Sequence, residues 1–416
     1  MKNLSLIFKR DKKRNKEKII LNGALSLCPK NVLKALASSF NNVDAENYVP
    51  SWLEDLSDEN ILDLKKYIDL YKQHKDERSN KCCEYFNMIE ELTKRNLKKI
   101  YANHLVKEED IFVNVQSPTG AISNLISILA LCEYGDVIVS MDSNCGGHFS
   151  HGESYHFVGK NYNVKTYGVD NDGNIDYKEI AHYLEKYSPK LLIAGASSYP
   201  KNIDFKKLKN LINKYSPSTL LFADIAHTAG LIAGNLFNSP FGYADVVMMV
   251  GYKTFCGCRA SAIFSFNKCI SEKIEKTAFP YILGSPLANQ IAGFCVSTYN
   301  ALSNKFKETM KNVVNNAKLF ENKLKENGFV MFTDTESHIV VLDVKKSNIN
   351  LSAKELVNIL EDNNILASVC LLPNDKEQAS GIRFGFTWVS QKKYSNKKII
   401  ALANDVCNLI IKYQKS

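Results

Sequence analysis

Two residues of opposite charge follow apolar, strand-like runs in this sequence. Asp224 ends the run TLLFAD, and Lys253 directly follows the run DVVMMVGY. A carboxylate at the end of a buried strand needs a cationic or hydrogen-bonding partner. A lysine that forms a Schiff base, with an aspartate that holds a pyridinium nitrogen, is typical of pyridoxal phosphate enzymes. Taken alone, the pair favours a simpler interpretation, a helix-capping aspartate and a surface lysine.

Polar residues after other apolar runs extend this pattern. Thr119 and Gly120 lie between a strand-like and a helix-like run, where backbone N–H groups and a hydroxyl can hold a phosphate. His148 follows the run DVIVSMD and a glycine pair, and its imidazole there can stack on a cofactor ring. His148 and His151 are three residues apart, but no carboxylate or cysteine completes a metal-ligand set. No metal site is therefore predicted.

The elements that position these residues are short β-rich runs that alternate with helical stretches. The runs are IFVNVQ, DVIVSMD, NVKTYGV, KLLIAGASS, TLLFADIA, DVVMMVGY and SAIFSF. Near-continuous apolar strands alternating with helices indicate a mostly parallel sheet that is covered on both faces. Because ligand sites in such sheets lie at the carboxyl ends of the strands, the polar residues that follow them are expected to converge there.

The remaining chain divides the protein into four predicted parts. Residues 1–18 form a basic extension, and residues 19–100 form an N-terminal arm with short helices and a charge-rich insertion at 52–81 that resembles a helix pair. Residues 101–300 form a large cofactor-binding domain. Residues 301–416 form a smaller α+β domain. It contains a long helix, the predicted strands FVMFTD, HIVVLDV and GIRFGF, and a helix at 353–362.

Composition excludes several classes of protein. The chain has 416 residues, of which 45% are hydrophobic and 23% charged, with 20 Gly and 10 Pro, so it is neither disordered nor collagen-like. No apolar run is long enough to span a bilayer. The 11 cysteines match no zinc or disulfide pattern, which indicates a reducing compartment. The net charge of +9 is spread along helices, which argues against a nucleic-acid-binding face.

The basic extension has two interpretations. It reads MKNLSLIFKRDKKRNKEK, a short apolar patch followed by dense Lys and Arg. It is either a solvated basic tail or an organelle-targeting presequence, although Asp11 and Glu17 depart from the acid-poor composition of presequences. A presequence predicts a mitochondrial location, and a tail predicts a cytoplasmic one.

Longer stretches of the chain carry a family resemblance. In order and spacing, from about residue 20, the chain resembles serine hydroxymethyltransferases in the stretches VNVQSPTGAISN, CGGHFSHG, AGASSYPKNIDFKKLKNL, ADIAHTAGLIAG and YKTFCGCRAS. The resemblance implies a fold-type I pyridoxal phosphate enzyme with a large mostly parallel-sheet domain and a smaller C-terminal α+β domain. It also implies serine and glycine as substrates, tetrahydrofolate as co-substrate, and a homodimer or homotetramer with sites built across a subunit interface.

The resemblance assigns a role to individual residues. The catalytic residues it implies are Lys253, which forms the Schiff base, His227, which contacts the cofactor's phenolic oxygen, and Glu46, which acts from the other subunit. The cofactor-binding residues it implies are Thr119, Gly120, His148, Ser197, Asp224, Lys253 and, from the neighbouring subunit, Gly284. The substrate-binding residues it implies are Arg383, which grips the substrate carboxylate through a bidentate pair, and Tyr48.

Departures from the family pattern cluster away from the cofactor. Asp44 stands where the family has a tyrosine, Asn47 replaces a glycine, and Ala24 replaces a serine that helps to hold the substrate carboxylate. The Tyr-Tyr-Gly-Gly motif is missing. The sequence therefore predicts a divergent serine hydroxymethyltransferase with impaired activity. The alternative is a non-catalytic paralogue that keeps the fold and cofactor and joins an active homologue in a hetero-oligomer.

Overall fold

A computed structural model describes residues 2–376 and 378–414 of the chain. Twelve strands lie in these residues: β1 (Ile19–Ile20), β2 (Phe112–Asn114), β3 (Val137–Met141), β4 (Asn163–Tyr167), β5 (Leu191–Gly195), β6 (Leu220–Asp224), β7 (Val246–Val250), β8 (Ser261–Ser265), β9 (Ile339–Asp343), β10 (Ile365–Leu366), β11 (Ser368–Cys370) and β12 (Gly381–Gly385). They form one large sheet and two small ones.

Sixteen α-helices surround these sheets in the described residues: α1 (Lys2–Glu17), α2 (Lys30–Leu36), α3 (Asp58–Leu62), α4 (Leu64–His74), α5 (Glu84–Tyr101), α6 (Gly120–Leu131), α7 (Phe157–Asn161), α8 (Tyr177–Tyr187), α9 (Phe205–Tyr215), α10 (Ala229–Ala233), α11 (Lys268–Lys276), α12 (Ala288–Ala301), α13 (Asn304–Glu326), α14 (Ala353–Asp362), α15 (Thr387–Gln391) and α16 (Asn396–Gln414). A π-helical turn spans Thr277–Ile282.

The large sheet has seven strands in the order β2-β8-β7-β6-β5-β3-β4. Strands β3 to β7 pair in parallel with their neighbours, whereas β8 is antiparallel to both β7 and β2. The register aligns Gly195 with Asp224 and Asp224 with Met248, so that β5, β6 and β7 end at the same edge. This sheet confirms the mostly parallel architecture predicted from the apolar runs.

Both faces of the large sheet are buried, and strand β7 shows why. Val247 and Met249 pack into one hydrophobic core, whereas Val246, Met248 and Val250 pack into a second core on the opposite face. Successive residues of a strand point to opposite faces, so a strand buried on both sides must be apolar throughout. The run DVVMMVGY has this composition because helices cover each face.

The C-terminal part is built on an antiparallel sheet of order β11-β12-β9, and β1 pairs in parallel with β10 beside it. The prediction of a strand at FVMFTD is wrong. The segment runs along β9 through the bonds Asp343 N to Val330 O and Phe332 N to Val341 O, but only one isolated bridge, at Met331, forms. The Val330 N–H instead donates to the hydroxyl of Ser347 at 2.9 Å, which removes it from the ladder.

The charge-rich insertion folds as the predicted helix pair. Ser57 and Asp63 accept backbone hydrogen bonds as the N-caps of α3 and α4. Tyr67 of α4 is fully buried against α5. The two ends of the insertion meet, because the Glu77 carboxylate accepts bonds from the Ser51 N–H at 3.3 Å and its hydroxyl at 3.1 Å.

The basic extension is helical in this structure rather than an irregular tail. Its apolar residues Leu4, Ile7 and Phe8 are exposed on α1. The helix is tied to the body by the Lys18–Glu361 ion pair at 3.3 Å and by Lys392, which donates to a carbonyl of α1 at 3.1 Å. No helix in the described part of the chain combines the length and apolar character that crossing a membrane requires.

Deletion of residues 1–18 is expected to leave the fold intact. The extension contributes partly exposed ion pairs, worth about 0–1 kcal/mol each, so we expect the melting temperature to change by less than about 3 °C. Differential scanning calorimetry checks this. Deletion of residues 1–21 is the matched control: it also removes β1 and the fully buried Leu21, and it should lower the melting temperature by clearly more. Equal effects of the two deletions would contradict the prediction.

Candidate active site

Strand ends at one edge of the large sheet deliver the predicted site residues. Asp224 is the last residue of β6, and Lys253 follows β7 in a buried turn. Gly195, opposite Asp224 in the neighbouring strand, must be a glycine, because a β-carbon there would overlap the Asp224 carbonyl oxygen. These two backbones therefore lie close together, and the Asp224 carboxylate is buried at the carboxyl edge of the sheet.

The Asp224 carboxylate is 8% exposed and accepts three hydrogen bonds. Oδ2 accepts from Asn124 Nδ2 at 2.9 Å and from His151 Nε2 at 2.9 Å, and Oδ1 accepts from the Ala226 N–H at 2.9 Å. Burial alone would raise the pKa of Asp224, but the bond from His151 and the neighbouring positive partial charges hold that pKa below its usual value. Asp224 is therefore an anion at neutral pH.

Lys253 is 7% exposed. Among the residues that the structure describes, no carboxylate forms an ion pair with its ammonium group. The pKa of Lys253 is lowered to about 8, mainly by burial; Asp224 opposes this shift, and Arg383 and Arg259 add to it. Roughly a tenth of Lys253 is therefore the neutral amine at pH 7, and this is the nucleophilic form.

His148 is held in one tautomer by its own loop. The Ser150 N–H donates to His148 Nδ1 at 3.3 Å, so Nδ1 is the acceptor and the ring proton is on Nε2. The Ser150 hydroxyl, 2.7 Å from the same nitrogen, in turn accepts from Asn124 at 2.9 Å. Burial lowers the pKa of His148 to about 4. A neutral, fixed imidazole results.

His227 contacts a second buried histidine. Its Nδ1 lies 3.2 Å from His338 Nε2, which also lies 3.2 Å from the Gly23 carbonyl oxygen. That carbonyl can only accept, so His338 Nε2 carries a proton. Burial lowers the pKa of His338 to about 3 and holds the pKa of His227 well below its usual value. Both rings are neutral. Because His227 Nδ1 faces the protonated Nε2 of His338, it acts as an acceptor, and the proton of His227 is on Nε2.

A cavity of about 170 Å³ joins these groups. It is lined by six of the seven residues predicted to bind the cofactor, Thr119, Gly120, His148, Ser197, Asp224 and Lys253, and by the predicted catalytic residue His227. Thr119 is the N-cap of α6 and Gly120 its first residue, so the cavity borders the start of a 12-residue helix, where backbone N–H groups are free. The cavity therefore offers both an anion site and a carboxylate.

Arg383, on β12, borders this cavity through Ser197. Its Nη1 donates to the Ser197 carbonyl at 2.6 Å and lies 3.2 Å from the Ser198 hydroxyl, and its Nε donates to Ser368 at 3.3 Å. Within residues 2–376 and 378–414, no acceptor lies within hydrogen-bond distance of Nη2. A guanidinium with unused donors suits a carboxylate ligand.

The other three predicted residues lie outside this cavity, in a second cluster. The Tyr48 hydroxyl donates to the Glu275 carbonyl at 2.6 Å, which turns it towards α11. The Ala45 N–H, next to Glu46, donates to Ser285 at 2.9 Å, and Ser285 is next to the exposed Gly284. Glu46, Tyr48 and Gly284 are thus near one another, but none of them lines the Lys253 cavity in the described part of this single chain.

Sequence reasoning missed three residues that hold the site in shape. Asn124 and His151 bind Asp224, and His338 binds His227. The spacing of His148 and His151 drew attention only as a metal pattern, whereas the two rings have different partners. The described residues include no group of three or more metal-ligating side chains.

The sheet topology and the Asp224–Lys253 cavity define the class, an α/β protein of fold type I. A sequence model of the family "Serine hydroxymethyltransferase" matches residues 65–406. The chain is 34% identical to the serine hydroxymethyltransferase of Mesoplasma florum over 399 residues, with 93% of each chain covered. It is 32% identical to that of Mycoplasma mobile, over 98% of this chain and 90% of the relative.

The chain therefore belongs to the serine hydroxymethyltransferase family, whose members have the fold-type I pyridoxal phosphate architecture. This confirms both the resemblance and the fold class predicted from the sequence. The residues present fit the cofactor. A carboxylate has about four acceptor positions, and Asp224 uses three, so one remains for a pyridinium N–H.

The rate at which pyridoxal phosphate reconstitutes the cofactor-free protein should rise with pH, with a midpoint near pH 8. The reason is that Lys253 reacts as the neutral amine, whose fraction increases as pH rises through its lowered pKa. Stopped-flow absorbance measures the rate.

Two controls accompany this measurement. Lys253→Ala should abolish the pH-dependent phase and the cofactor trapped by borohydride. A midpoint near the usual lysine value, or equal trapping by Lys253→Ala, would contradict the assignment.

Proposed function

We propose that this chain is a pyridoxal phosphate-dependent serine hydroxymethyltransferase that interconverts serine and glycine, with tetrahydrofolate as co-substrate and with weakened one-carbon transfer. The observation that carries the proposal is the buried Lys253, with its lowered pKa, in one cavity with the hydrogen-bonded Asp224 anion. The family model and the relatives support the reaction class.

The cofactor, when bound, supplies an electron sink for the carbanion formed on the amino acid. The chain's own residues prepare this chemistry. The Asp224 anion would hold a proton on the ring nitrogen, and the free backbone N–H groups at the start of α6, beside Thr119 and Gly120, would bind the phosphate. His148 presents a neutral ring for stacking, and His227 presents its Nε2–H as a donor to an oxygen substituent.

Arg383 is the residue that would bind the carboxylate of the substrate. Its Nε and Nη1 are held by Ser368, Ser197 and Ser198, which leaves Nη2 to contact an amino-acid carboxylate. The bidentate pair that the resemblance implies uses two guanidinium nitrogens, so this geometry supports contact through Nη2 alone rather than that pair. Because the guanidinium is already fixed before the substrate arrives, little side-chain entropy is lost on binding.

The one-carbon half of the chemistry has weaker support. In the family resemblance, Glu46 handles the hydroxymethyl proton, which requires it to lie within hydrogen-bond reach of the substrate. Asp44 is exposed in this single chain, and in the proposed dimer its negative charge would lie near the partner's cavity, where it opposes the binding of a phosphate and a carboxylate. Ala24 lacks the hydroxyl that would share the carboxylate with Arg383. These substitutions favour weak transfer over complete loss of amino-acid binding.

A non-catalytic paralogue is the second candidate. It is favoured by the same substitutions at Asp44, Asn47 and Ala24, which leave the cofactor cavity intact. Such a protein would keep the cofactor and assemble with an active homologue. The response to glycine separates the two candidates.

Glycine is expected to change the cofactor absorbance, whereas folate-dependent serine turnover is expected to be very weak. Glycine binding needs mainly Arg383 and the cofactor. Arg383→Gln should therefore weaken the glycine response about ten- to a hundred-fold, as one or two charge-assisted contacts are lost. Both properties are measured on one preparation. Robust turnover would refute the weakened transfer, and no response to glycine at any concentration would support the paralogue instead.

We also propose that the active unit is at least a homodimer, in which Glu46, Tyr48 and Gly284 of one chain complete the Lys253 cavity of the other. The location of these three residues in a cluster outside their own cavity supports this assignment.

Subunit mixing tests the shared site. Glu46→Gln and Lys253→Ala, each without turnover alone, should regain up to about a quarter of the parent's turnover when they are mixed after dissociation, because half of the sites in half of the dimers are intact. Mixing two preparations of the same variant is the control. No gain on mixing, despite exchange of subunits shown by mass spectrometry, would contradict a shared site.

A further inference from the structure

Arg78 is the largest fully buried side chain in the described part of the protein, at 1% exposed. It lies at the end of the charge-rich insertion, one residue after Glu77, which closes that insertion. Its ion-pair partner Glu90, on α5, has no exposed side-chain surface either. A buried ion pair of this kind adds little stability compared with apolar residues of similar volume, so its retention calls for another explanation.

The hydrogen bonds of Arg78 converge on the segment that carries Glu46. Nη1 donates to the carbonyl of Ala45 at 2.8 Å and to the carbonyl of Asn47 at 2.6 Å, the residues on either side of Glu46. Nη2 donates to Glu90 at 2.6 Å, and Nε donates to Asn87 at 2.6 Å. The guanidinium thus joins two fixed points on α5 to both neighbours of Glu46.

A second side chain supports the same carbonyl. Gln116 Nε2 lies 3.0 Å from the Asn47 carbonyl and 3.0 Å from Glu90 Oε1. Asp76, in the insertion, completes the network: it accepts from the Arg78 N–H at 3.0 Å and from Asn87 at 3.1 Å. The network therefore connects the insertion, α5 and the end of β2.

The segment 44–48 has no secondary structure of its own to hold it. Asn47 has a φ of 77°, a left-handed conformation that non-glycine residues adopt rarely. A backbone of this kind persists only where its surroundings fix it. The two carbonyls that flank Glu46 are held by the Arg78 guanidinium and by Gln116. The segment is also held by Ser285 at the Ala45 N–H and by Glu275 at the Tyr48 hydroxyl.

We propose that Arg78 is the positioning residue that holds segment 44–48 in this conformation and thereby sets the direction of the Glu46 carboxylate. The part that concerns catalysis by Glu46 rests on the proposed function. The part that concerns the segment rests on the contacts of Arg78 alone.

Hydrogen–deuterium exchange on the holoenzyme tests the positioning. Arg78→Lys keeps a positive charge beside Glu90, but an ammonium group cannot bind both carbonyls, Asn87 and Glu90 at once. We expect amide exchange in residues 44–48 to become faster by on the order of tenfold. The affinity for glycine, measured from the cofactor spectrum, should stay within about twofold, because glycine binding needs mainly Arg383 and the cofactor. In contrast, kcat for serine should fall with little change in KM.

Arg95→Lys is the matched control. Arg95, on α5, likewise pairs with a glutamate, Glu91, at 2.7 Å and binds backbone carbonyls, but these belong to Leu53, Glu54 and Leu56 of the insertion. It should speed exchange in residues 53–58 and leave 44–48 unchanged.

The possible outcomes separate the two parts of the proposal. Unchanged exchange in 44–48 for Arg78→Lys would overturn the positioning role. Faster exchange with unchanged kcat would establish the positioning role and refute catalysis by Glu46. If Arg78→Lys does not fold, Gln116→Leu, which removes only the second donor to Asn47, decides the question: exchange must rise at 47–48, and no rise overturns the proposal.

Discussion

The buried carboxylate of Asp224 is the constraint around which the site is organised. An anion at the end of a buried strand must have its acceptor positions filled, and three of them are bound by Asn124, His151 and the Ala226 N–H. These partners fix the start of α6, the loop after β3 and the turn after β6 relative to one another. The cavity keeps its shape before any ligand enters because the charge requires these bonds.

Electrostatics within the cavity separate the charged groups from the neutral ones. Asp224 stays ionised, whereas His148, His227 and His338 are kept neutral by burial. The neutral rings can have definite tautomers, which each hydrogen-bond network sets. Lys253 has a pKa of about 8, so it can be either charged or neutral near neutral pH. One small cavity thus contains a fixed anion, fixed neutral donors and an amine that can lose its proton.

The local sequence pattern was sufficient to predict a strand or helix whose structure is determined by its own residues. The near-continuous apolar runs predicted β5, β7 and β8, whose residues are all buried. The helix predicted at 353–362 begins at a capping box formed by Ser352 and Glu355, which is readable in the sequence. The strand at FVMFTD failed because Ser347, which lies outside that segment, accepts the hydrogen bond of the Val330 N–H.

Site residues that depend on distant partners were beyond sequence reasoning. Asn124 is 100 residues from Asp224, and His338 is 111 residues from His227. Nothing near either residue in the sequence marks it as part of the site. Asp224, Lys253 and His148 were accessible because each directly follows a strand-like run, and the family resemblance then supplied their roles.

The closed base of the insertion has a consequence for how this protein tolerates change. Ser51 and Glu77 bond to each other and so fix the two ends of the chain between them. Within that chain Ile61 and Tyr67 are fully buried, whereas the junction at 62–64 between α3 and α4 is exposed. The free energy of closing a loop depends only weakly on its length, so extra residues or a grafted reporter domain at this junction should leave the anchor points in place. In engineering terms the junction is a permissive site for insertion, whereas the packed helices on either side of it are not.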